Sequence, residues 1–192
     1  MSNNPQLPPR PPFWIRLSVN AGNTIQMSGL LVGAALLYIA ANTDAADIIR
    51  IILMILAWIV IYICAHSLGH YVIGRMVSIR FRGYGIRGTD RPENYPPGLR
   101  QAMSVVPFFT VLTEKSSMVK ASPVGKALMF AAGETSTTVF GVAAGWYAQA
   151  KGIPGGSIFL SVAIVWVALG MVLTTIFPKG DYAKAFRALR GS

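Results

Sequence analysis

The sequence predicts an all-α membrane protein of about four transmembrane helices, with a small strand and loop insertion between the second and third. Three observations predict it. The composition is 53% hydrophobic and only 12% charged, about half the charged fraction of a soluble domain, and mean hydropathy is +0.51. The apolar residues gather into blocks long enough to cross a bilayer's hydrocarbon, which takes about 20 helical residues. The one long polar stretch, residues 75–123, falls between the second and third blocks.

Residues 1–20 read as a Pro-rich cytoplasmic arm ending in an interfacial anchor. Pro5, Pro8, Pro9, Pro11 and Pro12 favour an extended chain. In Phe13-Trp14-Ile15-Arg16-Leu17, the Trp and Arg suit the membrane–water boundary. No small-residue cleavage site follows a short apolar core, so this is not the pattern of a cleaved signal peptide. Residues 21–192 then form a single membrane domain.

The first span is expected at about 25–41, where Gly29, Gly33, Ala34 and Ala35 permit close helix approach. Asn42-Thr43-Asp44 reads as its stop. The second is expected at about 48–74; its roughly 27 residues reach about 40 Å, more than the hydrocarbon thickness. A cytoplasmic loop over 75–123 follows. Alternation through Val77 to Arg82 predicts a short strand. Met103–Leu112 is apolar but short and interrupted by Pro107, which predicts a re-entrant or interfacial piece. The third and fourth spans are expected at about 124–150 and 157–177, and Pro178 ends the last. The basic tail, 179–192, places Tyr182, Phe186 and Leu189 on one helical face.

The net charge of +10 is explained by where the basic residues lie. The 75–123 loop carries eight basic residues against three acidic, and the tail four against one. Four spans with both termini cytoplasmic satisfy the positive-inside rule at every loop, giving a multi-pass protein of the cell membrane. The aromatic–basic interleaving of single-strand binders is missing, which argues against nucleic acid. Cys64 is the only cysteine, so an intrachain disulfide is excluded.

Ionisable residues inside a membrane are costly and point to function. They are His66, His70 and Glu134, with Asp181 just beyond the fourth span. His66 and His70 are four apart, on one face of a helix with backbones about 6 Å apart, close enough for both imidazoles to reach one metal ion. The hydrolytic version of this pattern is His-Glu-x-x-His, with the Glu as general base. Here that position is Ser67. Two histidines and a carboxylate suit a three-ligand zinc site with one open position. Other readings stand beside this one. The histidines could hydrogen-bond neighbouring helices or ligate another cofactor, although the Cys-x-x-Cys-His haem motif is missing. Asp181 could cap the tail helix. Glu134 could be protonated and bonded to Thr137 or Thr138, or could face the histidines as a ligand or a substitute base.

Ala65-His66-Ser67-Leu68-Gly69-His70-Tyr71, then Gly74-Arg75 and Ile79-Arg80-Phe81, resembles the zinc-motif helix and following strand of the site-2 protease family of intramembrane zinc metalloproteases. Ala131-Ala132-Gly133 with Glu134 to Thr137 stands where that family has Ala-Gly-Pro-x-x-Asn. Pro178-Lys179-Gly180-Asp181 stands where it has a Pro-rich turn and an Asp-Gly. The resemblance covers about 48–190. It implies zinc held by His66, His70 and Asp181, with Ser67 at the general-base position, Glu134 at the family's proline and Thr137 near its asparagine. The loss of the motif Glu removes assistance typically worth about 10²–10⁴-fold, whereas metal binding does not depend on it.

The function expected is that of a site-2-protease-like membrane protein with a zinc site, non-catalytic or strongly impaired, that binds transmembrane segments of other proteins in the bilayer. The alternatives are an active intramembrane metalloprotease with a substitute base, and a structural or cofactor-binding subunit of a larger membrane complex. Ser67 itself is expected to be a packed small residue rather than a nucleophile.

Overall fold

The computed structural model describes residues 12–88 and 97–191. The Pro-rich arm over 1–11 lies outside the described residues. The chain runs β1 (Ile15–Leu17), α1 (Val19–Asn42), α2 (Asp47–Met76), β2 (Phe81–Arg87), α3 (Leu99–Val105), β3 (Phe108–Thr113), α4 (Lys115–Lys120), α5 (Pro123–Ala150), α6 (Gly156–Ile176) and α7 (Asp181–Arg190). It is mostly helical with one small sheet, as the sequence predicts.

Among the described residues, α1, α2 and α6 are the three helices long and apolar enough to cross a membrane. The expected fourth, α5, has the length, at 28 residues. It falls short in apolar content because Glu134-Thr135-Ser136-Thr137-Thr138 lies in its middle.

α2 is the central helix, flanked by α1 on one side and α5 on the other, and α5 in turn carries α6 and α7. Small residues set these distances. A Cβ on Gly33 of α1 would stand 2.5 Å from Ile61 Cγ1 of α2, and one on Gly29 would stand 2.3 Å from Cys64 Sγ. Both glycines therefore let the backbones approach. The core joins Leu37 and Ala40 of α1, Met54, Ala57 and Ile61 of α2, and Ala144 and Ala148 of α5. Ser18 starts α1 by accepting from the Ala21 amide at 3.2 Å, and Ser122 starts α5 by accepting from the Gly125 amide at 3.0 Å. Each satisfies one orphan donor of a helix start.

The sheet is antiparallel in the order β1-β2-β3. Tyr84 pairs with Leu17 on one side and Val111 on the other. Its buried ring lies against Gly22, and its hydroxyl donates to Asn23 Oδ1 at 2.5 Å, which ties the sheet to α1. Two expectations are corrected. Residues 15–17 are a strand, so the Phe13–Leu17 lead-in is more than an interfacial anchor and the sheet does not lie wholly between the second and third apolar blocks. Met103–Leu112, expected as one re-entrant or interfacial piece, is divided between two elements. The chain breaks at Pro107 into the end of α3 and strand β3, whose Phe108-Phe109-Thr110-Val111 run has the aromatic and β-branched residues that strands favour.

Candidate metal centre

The two histidines, four residues apart on α2, project toward α5 and toward the first residue of α7. Asp181 Oδ2 lies 3.2 Å from His66 Nε2 and 3.1 Å from His70 Nε2. One potential ligand atom from each residue falls within 4.8 Å of the others. A tetrahedral ion about 2.0–2.1 Å from its ligands separates them by about 3.3 Å, so both nitrogen–oxygen distances are near coordination edges.

The outer nitrogens decide what the inner ones can do. His70 Nδ1 donates to the Met129 carbonyl at 2.7 Å; a carbonyl can only accept. The Thr137 hydroxyl donates to the Gly133 carbonyl at 2.9 Å, so it can only accept from His66 Nδ1 at 3.1 Å. With Nδ1 protonated on each ring, a neutral imidazole presents a bare Nε2 lone pair inward. Two such lone pairs meet the carboxylate oxygen of Asp181. Protonating both rings instead would put two positive charges side by side, with ring centroids 4.9 Å apart. A single cation among the three atoms resolves the conflict. Fixing the tautomer through the far nitrogen is also how proteins orient metal-binding histidines.

Asp181 is presented through one oxygen. Its other oxygen, Oδ1, accepts from Lys184 Nζ at 2.9 Å. Burial pushes the Asp181 carboxyl up; once the metal-free rings take a second proton in acid, hydrogen bonds from His66 and His70 and their positive charge outweigh it and hold the carboxyl well below the usual range. It is therefore a carboxylate at neutral pH. Its position follows from the turn Pro178-Lys179-Gly180. Gly180 packs so closely on the Thr174 carbonyl that a Cβ there would stand 2.0 Å away.

A cavity of about 580 Å³ opens beside these residues, with β3 as one wall and α5 and α7 as others. Glu134 lines it together with His66, His70 and Asp181. Ser67 does not. It is 1% exposed, and its hydroxyl donates to the Phe109 carbonyl of β3 at 2.8 Å. The structure thus brings His66, His70 and Asp181 together, with Glu134 on the same cavity and Thr137 supporting one ring. It turns Ser67 to the strand. Lys184 and the Met129 carbonyl were not singled out from the sequence. Lys184 stands one turn after Asp181, a spacing at which an ion pair is ordinary; nothing in the sequence marks a backbone carbonyl.

No family model, no curated protein and no solved structure matches the chain.

Proposed function

We propose that this chain is a multi-pass protein of the cell membrane, similar to the site-2 proteases, that holds a zinc ion on His66, His70 and Asp181. The convergence of two Nε2 lone pairs and one carboxylate oxygen carries the reading. Two imidazoles and one carboxylate oxygen are a zinc donor set, and three protein ligands leave a fourth position for an exogenous group. When bound, the ion would polarise a carbonyl or a water molecule at that position. The chain's own contribution is to hold the ligands: Met129 and Thr137 fix the two rings, and Lys184 holds Asp181.

In this reading α5 is the fourth span. Glu134 and Thr137 are 5% and 1% exposed, and the exposed Thr135 shares a hydrogen bond with the Tyr182 hydroxyl at 3.0 Å, so the acidic member of its polar stretch would be shielded by neighbouring helices rather than set against lipid. Both termini lie on the cytoplasmic side. The cavity's occupant is an apolar peptide segment of another membrane protein. Phe108 and Phe109 line the cavity, and β3 is one of the two edge strands of the sheet, which suits an extended chain laid alongside it. Ser67 is committed to β3, so hydrolysis by the route that uses a base beside the first histidine is lost or strongly impaired. Segment binding is then the principal activity.

The test is elemental analysis of protein purified into nanodiscs without chelators, combined with photo-crosslinking from a probe at Val111. About one zinc per chain, and crosslinks to transmembrane segments that an Asp181→Ala variant diminishes, are expected. Zinc-free protein that cannot be loaded would refute the metal site, and a probe that labels only lipid would refute segment binding.

A further inference from the structure

We infer that Glu134 supplies, from the helix facing the histidine motif, the proton acceptor that the motif itself lacks. The inference rests on the metal-site reading. Its starting point is chemical: hydrolysis at a metal site needs a group to take a proton from water, and Ser67 at the usual position cannot serve. Its own proton is given to the Phe109 carbonyl, and it does not line the cavity.

Among the described residues, the cavity wall holds two carboxylates, Asp181 and Glu134. Asp181 is committed on both oxygens, Oδ1 to Lys184 and Oδ2 to the metal position it shares with the histidines. Glu134 is different. It is 5% exposed, yet its carboxylate accepts no hydrogen bond from any described residue and opens on the cavity. The fold also keeps a place for it. A Cβ on Gly170 of α6 would stand 2.7 Å from Glu134 Oε1, so the absence of a side chain there makes room for the carboxylate. A buried carboxylate without donors is expensive unless something in the cavity supplies a hydrogen; a water or an acidic ligand beside the histidines does so.

The step balances without another reactant. As a water oxygen bonds to the carbonyl carbon of a peptide, one of its protons passes to Glu134. The C–N bond then breaks, and Glu134 returns that proton to the leaving amine nitrogen, which regenerates the carboxylate.

Acetohydroxamic acid isolates the proton transfer from turnover, because its O–H proton must pass to a neighbouring base as the anion binds. The experiment loads the full chain in nanodiscs with Co²⁺ and follows acetohydroxamate and azide binding by visible absorption. Glu134→Gln is expected to weaken acetohydroxamate by about tenfold or more, the loss of one charge-assisted hydrogen bond, while Co²⁺ and azide affinities stay within about threefold, a difference under about 1 kcal/mol. Glu134→Asp is expected to recover part of the acetohydroxamate affinity. Unchanged acetohydroxamate affinity in Glu134→Gln, or equal losses for Co²⁺, azide and acetohydroxamate, would overturn the inference. Parent protein that takes up no Co²⁺ would instead overturn the metal-site reading beneath it.

Discussion

Gly133 of α5 lies directly against the ring of His70: a Cβ on Gly133 would stand 2.2 Å from Nε2, the atom that faces Asp181. The missing side chain is what lets α2 and α5 close around the candidate metal centre. Gly133→Ala should push the ring off its line to Asp181. Overpacking of this kind costs about 1–3 kcal/mol, and a displaced ligand should weaken zinc about 10–100-fold, as loss of an orienting contact does. Competition with a fluorescent chelator measures the affinity, and unaltered binding would show that the ring has space to spare.

Thr137 should matter through its oxygen and not its shape. Thr137→Val removes the acceptor for His66 Nδ1 and leaves that nitrogen without its partner. Zinc affinity should fall about 10–100-fold, and Thr137→Ser should restore most of it. The same chelator competition reads both variants.

Ser67 should separate cleanly from the metal. Ser67→Ala loses one buried hydrogen bond to β3, which costs about 0.5–1.5 kcal/mol, more if the Phe109 carbonyl stays unpaired. Hydrogen exchange in Phe108–Thr113 should quicken while zinc stoichiometry stays as in the parent. Loss of zinc in this variant would mean that the residue supports the metal after all.

Acid should find Asp181. Its carboxyl titrates well below the ordinary range in the folded protein, so it contributes stability that is complete above the unfolded value, about 3.9. That contribution is lost as pH falls from there through the depressed folded value. Melting of the metal-free protein should therefore drop more steeply below about pH 4 than melting of Asp181→Asn. Parallel curves would contradict it.

Much of this architecture was legible because long apolar helices advertise themselves. Long apolar runs located α1, α2, α5 and α6 to within a few residues, apart from the start of α1, which Ser18 sets well before the apolar block begins. The histidine pair was legible because four-residue spacing on a helix fixes a shared face. Asp181 is 111 residues from His70, and only the resemblance to the site-2 proteases joined them. The sheet was half legible. The alternation over Val77–Arg82 meets β2 only at Phe81 and Arg82, because residues 77–80 are the turn and link that leave α2, and β1 is three residues long and exists only through its pairing with a strand some seventy residues away. Ser67 was expected to be packed, and it is. Its partner was hidden because a backbone carbonyl carries no side-chain signature.

The most direct test of the metal assignment is X-ray absorption at the zinc edge on zinc-loaded protein in nanodiscs. Scattering from two imidazoles, with light-atom donors about 2.0–2.1 Å from the ion and loss of one imidazole in His70→Ala, is the predicted result. Bound zinc with no imidazole in its shell, or a spectrum that His66→Ala and His70→Ala leave untouched, would contradict it.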